Sequence, residues 1–262
     1  MLSKAEKLKE ALNSSTRPLF SIFLMAGYPD LKSTGPLLSV LSEEKIDFIE
    51  VGFPFSDPIA DGSIIQAASE KSIRNGMHLE ILFNQLREIK DKIDTPLIMM
   101  GYLNPVLRFG FEKFLDCCEE CGVSGLIIPD LPLIEYRKEW KRELLNRKIG
   151  FVFLVTPSTS EERIREIDKE SPLFIYAVSS YSLTGSIVSN SVTEYLERLA
   201  SMSLSSPLVV GFGISDRDSF SRVTSVVPAA IIGSAFLSRI SDGGDYVAQA
   251  RDFVREVRGG CL

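Results

Sequence analysis

Phe48-Ile49-Glu50-Val51-Gly52-Phe53-Pro54-Phe55-Ser56-Asp57-Pro58-Ile59-Ala60-Asp61-Gly62 decides how the rest of the chain reads. It opens as a β-branched, apolar run, the pattern of a buried strand. Glu50 lies near the end of that run, where a carboxylate is costly unless it is paired or used. The glycines and prolines that follow make a stiff loop, and Asp57 and Asp61 lie within it. A strand tip carrying one acid, joined to a rigid loop carrying a second, is a candidate acid/base site. Asp57 and Asp61 have a plainer reading as caps of turns or of the helix predicted from residue 63. Glu50 has one as the partner of a nearby Lys or Arg.

Seven further apolar runs flank this one. Strands are predicted over 18–26, 47–52, 96–100, 124–128, 151–155, 173–178, 207–213 and 229–233. Helical patterns separate them, at 32–44, 63–75, 78–92, 110–121, 133–147, 160–169, 192–202, 216–226 and 244–258. Another helix precedes the first strand, over 3–13, and opens on the capping-box pattern Ser3-x-x-Glu6. Near-continuous apolar strands alternating with helices indicate a parallel sheet covered on both faces. Eight such units point to a closed (β/α)₈ barrel with an extra N-terminal helix rather than an open sheet. No linker or shift in composition divides the chain, so residues 1–262 are read as one barrel domain.

Composition excludes several classes. The formal charge of −6 is spread without long runs, which argues against nucleic acid or an anionic membrane as partner. No apolar stretch approaches the ~20 residues that cross a bilayer, and the polar start Met1-Leu2-Ser3-Lys4 is not a signal peptide. His78 is the single histidine, so no metal site or triad needing two can form; it is placed near a helix N-terminus. Cys118 and Cys121 have C-x-x-C spacing but close a helical pattern and lack a second pair. With Cys117 they read as buried apolar thiols of a reduced, cytoplasmic protein.

Active sites of such barrels lie at the carboxyl ends of the strands, and the unusual residues collect there. Strand three ends near Tyr102, strand four at Asp130, and strand six near Tyr176. Phe23, Tyr102 and Tyr176 read either as core at the barrel mouth or as a flat slot for an aromatic ligand. Asp130 reads as structural or as facing a ligand. Gly211-Phe212-Gly213 and Gly233-Ser234-Ala235 end strands seven and eight. Glycines there serve a tight turn or let backbone N–H groups approach an anion. Ser234 opens a short helical segment whose positive end suits a phosphate.

The same residues resemble a known family. Glu50 to Gly62 is similar to the signature of the tryptophan synthase α subunit. The likeness extends through Gly27-Tyr28-Pro29, Tyr102-Leu103-Asn104-Pro105, Pro129-Asp130-Leu131-Pro132, Leu183-Thr184-Gly185, Gly211-Phe212-Gly213-Ile214-Ser215 and Gly233-Ser234-Ala235. It implies a barrel that cleaves indole-3-glycerol phosphate to indole and glyceraldehyde 3-phosphate. Indole would pass to a β subunit, expected in an α2β2 complex, where pyridoxal phosphate joins it to serine; this chain would need no cofactor. By resemblance, Glu50 and Asp61 are the catalytic pair, and Gly185, Gly213, Gly233 and Ser234 hold the phosphate. Phe23, Tyr102, Asp130 and Tyr176 surround the substrate or the β contact, and Thr184 rides on a loop that closes over the site.

Two positions depart from the family pattern. Ser63 follows Asp61-Gly62 where proline is usual, and Ser182 precedes Thr184-Gly185 where glycine is usual. They raise a second reading, a barrel that turns over its own substrate weakly and acts mainly as an activator of the β subunit.

Overall fold

The computed structural model describes residues 2–178, 190–241 and 243–259. Eight strands, β1 Leu19–Met25, β2 Phe48–Gly52, β3 Leu97–Met100, β4 Gly125–Ile127, β5 Gly150–Val155, β6 Ile175–Ala177, β7 Leu208–Val210 and β8 Ala229–Ile232, pair in chain order. Every pairing is parallel, and β8 returns to β1 to close the barrel. Each predicted strand is present. The real ones are shorter where the prediction ran into the mouth: β7 stops at Val210, so Gly211–Gly213 leave the sheet.

Helices cover the barrel: α1 Lys4–Ser14, α2 Thr34–Glu43, α3 Ser63–Arg74, α4 Leu79–Ile89, α5 Leu103–Phe109, α6 Phe111–Glu120, α7 Leu133–Glu135, α8 Lys141–Asn146, α9 Glu161–Glu170, α10 Asn190–Ser201, α11 Arg217–Thr224, α12 Ser234–Arg239 and α13 Tyr246–Arg258. Ser3 caps α1 with the reciprocal Ser3–Glu6 bonds its spacing predicted. α5 was not foreseen, because Asn104-Pro105 reads as a loop. Proline is tolerated in a first turn, where its missing N–H has no partner to lose. The charged helix predicted over 133–147 is broken by a π-helical stretch, Tyr136–Trp140. Both rings pack inward there, Tyr136 at 4.8 Å from Phe151 and Trp140 at 4.8 Å from Phe111.

Register fixes which side chains fill the barrel. Phe23, Glu50 and Ile98 are neighbours across β1, β2 and β3, so they share a face and a level. One step below, Phe48 meets Phe174 with ring centroids 5.8 Å apart, and both are fully buried. This aromatic layer is the floor under Glu50. On the helix layer, the buried Glu44 binds Arg251 at 2.8 Å and Arg255 at 3.0 Å, tying the end of α2 to α13. Cys117, Cys118 and Cys121 are free, buried thiols around the end of α6, as read from the sequence. Among the described residues no helix is long and apolar enough to cross a membrane.

Phe48→Ala should open a cavity in that floor and cost about 3–5 kcal/mol in denaturant unfolding. Ile59→Ala, at a side chain 84% exposed, should leave the midpoint unchanged.

Candidate active site

Glu50 points into the barrel mouth with 1% of its surface exposed, and among the described residues neither carboxylate oxygen has a hydrogen-bond partner. Nor does it make an ion pair with any of them, so the plain explanation for it finds no support there. A charged carboxylate cannot be solvated among Phe23, Ile98 and the aromatic floor. Burial therefore pushes its pKa up to about 8, and the charge of Asp61 adds to the shift. The Tyr176 hydroxyl pulls the other way. That hydroxyl lies outside regular hydrogen-bond geometry to Glu50 and acts on it as an electrostatic neighbour.

Asp61 reaches the same mouth from the loop after β2. It does not cap α3: the N-cap is Gly62, with no side-chain bond. Its carboxylate Oδ2 instead accepts the Tyr102 hydroxyl at 3.2 Å, and that hydroxyl accepts the N–H of Ala60 at 2.9 Å. Burial raises the Asp61 pKa, while the Tyr102 bond favours its charged form. Two acids thus meet in different surroundings, Glu50 fully buried with the Tyr176 hydroxyl beside it and Asp61 hydrogen-bonded to Tyr102, an arrangement that separates acid and base roles. Asp57 is not part of the pair; it is exposed and bonded to the Ser56 hydroxyl.

A cleft at Asp61 is lined by Phe23, Gly52, Phe55, Asp61, Ser69 and Tyr102. Phe23 lies across it. A Cβ at Gly52 would stand 2.6 Å from the tip of its ring, and one at Gly233 would stand 3.4 Å from its Cβ. The ring therefore spans from the tip of β8 to the tip of β2. Gly233 is the N-cap of α12, Ser234 is its first residue, and Gly213 turns with φ +73° at the end of the neighbouring strand. Gly211 has another duty: a Cβ there would fall 1.7 Å from the Tyr176 hydroxyl, so that ring occupies the space the glycine leaves. Tyr176 is buried beside Glu50, with Phe212 packed 6.5 Å away.

Asp130 accepts the backbone N–H of Leu103 at 2.9 Å. It supplies from β4's end the cap that α5 lacks in its own sequence, since Tyr102 offers no capping side chain. Asp130 thereby fixes the turn bearing Tyr102. Thr184, Gly185 and Ser182 lie outside the described residues. Ser63 opens α3 as an exposed first residue, and the Tyr102–Asp61 hydrogen bond forms with serine there. His78 is the N-cap of α4, without a side-chain cap bond, and does not line the cleft. Sequence reading missed Phe55, whose ring packs 5.3 Å from Tyr102, and Ser69, bonded to Phe55's backbone. A serine on a helix face carries no signal of what it meets. Among the described residues no group of three His, Cys, Asp or Glu could hold a metal.

A family model described as Tryptophan synthase alpha chain matches residues 9–258. The chain belongs to the tryptophan synthase alpha chain family. It is 46% identical over 244 residues to the tryptophan synthase alpha chain of Flavobacterium johnsoniae, covering 92% of this chain and 96% of that one. With the alpha chain of Bacteroides thetaiotaomicron the identity is 42% over 241 residues, 91% of this chain and 94% of that one. Its fold superposes on the Legionella pneumophila alpha chain with a TM-score of 0.88 at 27% identity, covering 98% and 97% of the two chains. The Pyrococcus furiosus A-subunit gives 0.84 at 33% identity, covering 92% and 98%. As a member of the tryptophan synthase alpha chain family it is a carbon–carbon lyase that cleaves indole-3-glycerol phosphate to indole and glyceraldehyde 3-phosphate. Membership also implies a β-subunit partner.

The raised Glu50 pKa has a thermodynamic consequence. The folded chain retains a proton that the unfolded chain loses above the ordinary value of 4.5, up to about 8. Stability therefore falls as pH rises through that window. Glu50→Gln has no such proton, so its stability advantage over the parent should grow between about pH 5 and about pH 8. It should reach roughly 2–5 kcal/mol in pH-resolved thermal unfolding.

Proposed function

We propose that Glu50 and Asp61 perform the cleavage together, Glu50 as a proton shuttle and Asp61 as a fixed carboxylate. The observation that carries this is the unpaired, buried Glu50 at the tip of β2, protonated near neutrality beside a second acid. The protonated Glu50 donates to C3 of the indole ring, giving the indolenine tautomer. The resulting carboxylate takes the proton of the adjacent glycerol hydroxyl. The C–C bond to C3 then breaks, its electrons return to the ring, and the hydroxyl carbon becomes the aldehyde of glyceraldehyde 3-phosphate. Asp61 accepts the indole N–H and stabilises the positive charge of the indolenine.

Phe23, Tyr102 and Tyr176 form the slot for the ring, and the placement of Phe23 between the acids and the β8 tip supports this. Gly213, Gly233 and Ser234 hold the phosphate from beyond the ends of two adjacent strands; Gly185 and Thr184, which the family resemblance adds to the substrate contacts, lie outside the described residues. Asp130 serves the site through the Tyr102 turn. Indole passes to the β subunit of an α2β2 complex, whose pyridoxal phosphate carries the condensation with serine. Exposed Ile59, Leu107 and Ile134, on the segments after β2, β3 and β4, support this mouth as the partner face. Three free buried thiols support a reduced, cytoplasmic setting, and the continuous core supports one domain over 1–262.

Indole release by the purified chain tests the pair. Glu50→Gln and Asp61→Asn should each lower it by ~10²–10⁴-fold with the fold intact; a rate near the parent's for either variant would remove that residue from the mechanism.

A further inference from the structure

Helix α3 follows Asp61-Gly62 directly, and its buried face is unusual. A helix on a barrel normally buries a stripe of large aliphatic side chains. The fully buried residues of α3 are Ala68, Ser69 and Ser72, all small, two of them hydroxylated. Each polar group on this face bonds to backbone of the strand-to-helix loops. The Ser69 hydroxyl accepts from the Phe55 N–H at 3.0 Å and donates to the Phe55 carbonyl at 2.9 Å. The Ser72 hydroxyl donates to the carbonyl of Ala26. Asn75 donates to the carbonyls of Gly27 and Pro29 at 2.8 and 3.1 Å. One turn earlier, Gln66 donates to the carbonyl of Asp61 itself at 2.8 Å.

The small side chains bring the helix very close. A Cβ at Gly27 would lie 2.6 Å from the Cβ of Met77 and 3.0 Å from the Ser72 hydroxyl, and Gly27 holds φ +75°. Contacts of this kind are directional where greasy packing is not. They grip the loop after β1, which follows Phe23, and the loop after β2, which carries Asp61. Phe55 is the point of transfer: fixed by Ser69, its half-buried ring packs on Tyr102, whose hydroxyl donates to Asp61.

We propose that the Ser69–Ser72–Asn75 face of α3 is a positioning device for Asp61, a polar seam that sets the acid loop against the β1 loop and so delivers the carboxylate to Tyr102. Ser69 is its central member, because both backbone groups of Phe55 depend on one hydroxyl. The role rests on the assignment of Asp61 to catalysis, and acts through Phe55 and Tyr102 rather than by touching substrate.

Steady-state indole release by the full chain, measured across pH, tests it. Ser69→Ala should lower kcat by about 10–100-fold with KM within about threefold, the pattern of a loss felt in the transition state. Losing the Tyr102 hydroxyl raises the Asp61 pKa, so the acid limb of the kcat profile should move to higher pH. Ser69→Thr, which keeps the hydroxyl, should restore both. Ser72→Ala should move kcat and the acid limb in the same direction by a smaller factor, and carries the test if Ser69→Ala does not fold. A parent-like acid limb in the folded variant overturns the seam, whatever happens to kcat. If Asp61→Asn is itself active the catalytic assignment has failed; if Asp61→Asn is dead and Ser69→Ala is parent-like, only the seam has.

Discussion

A carboxylic acid held without a hydrogen-bond partner inside an apolar barrel is the constraint around which this molecule is built. Glu50 could be relieved by a single arginine, and among the described residues none is paired with it. The aromatic layer of Phe48 and Phe174 closes the space beneath it, and Phe23 and Ile98 flank it. The desolvation is thus a product of strand register, since a one-residue slip of β2 would turn Glu50 out of the barrel. Stability is given up to keep an acid protonated where the proposed cleavage needs a proton, a pattern seen where function opposes packing.

The second acid is held by other means. Asp61 sits on a loop, and loops move unless something ties them. Here the ties come from three directions: Tyr102 on its carboxylate, Gln66 on its carbonyl, and Asp130 steadying the turn from which Tyr102 projects. Glu50 is placed by the sheet and Asp61 by a polar network, so the two acids answer differently to their surroundings. Movement of the loops can alter Asp61 while leaving Glu50 where the barrel puts it.

Much of this was legible in the order of residues. Phe48–Val51 announces a strand by its apolar, β-branched run, and Glu50 stands out because nothing structural asks for it there. The eightfold alternation carries the barrel, and Ser3 with Glu6 marks the first helix start. What stayed hidden depends on pairs distant in sequence. Asp130 meets Leu103 across 27 positions and Ser69 meets Phe55 across 14, and neither side chain signals its partner. Gly211 reads either as part of a tight turn or as room for an anion; Tyr176, paired with Val209 two residues earlier, reaches up to it and fills the room with a phenol. α5 was concealed by Asn104-Pro105, which suits a turn and a first helical turn equally well.

The pairing of Glu44 with Arg251 and Arg255 reaches across 207 and 211 positions, and β1 finds its second neighbour only in β8. Until β8 and α13 have been synthesised, β1 therefore keeps an unsealed edge and Glu44 lacks its two arginines. Closure waits for β8, and α13 acts as the latch that ends the barrel's time as an open, sticky sheet.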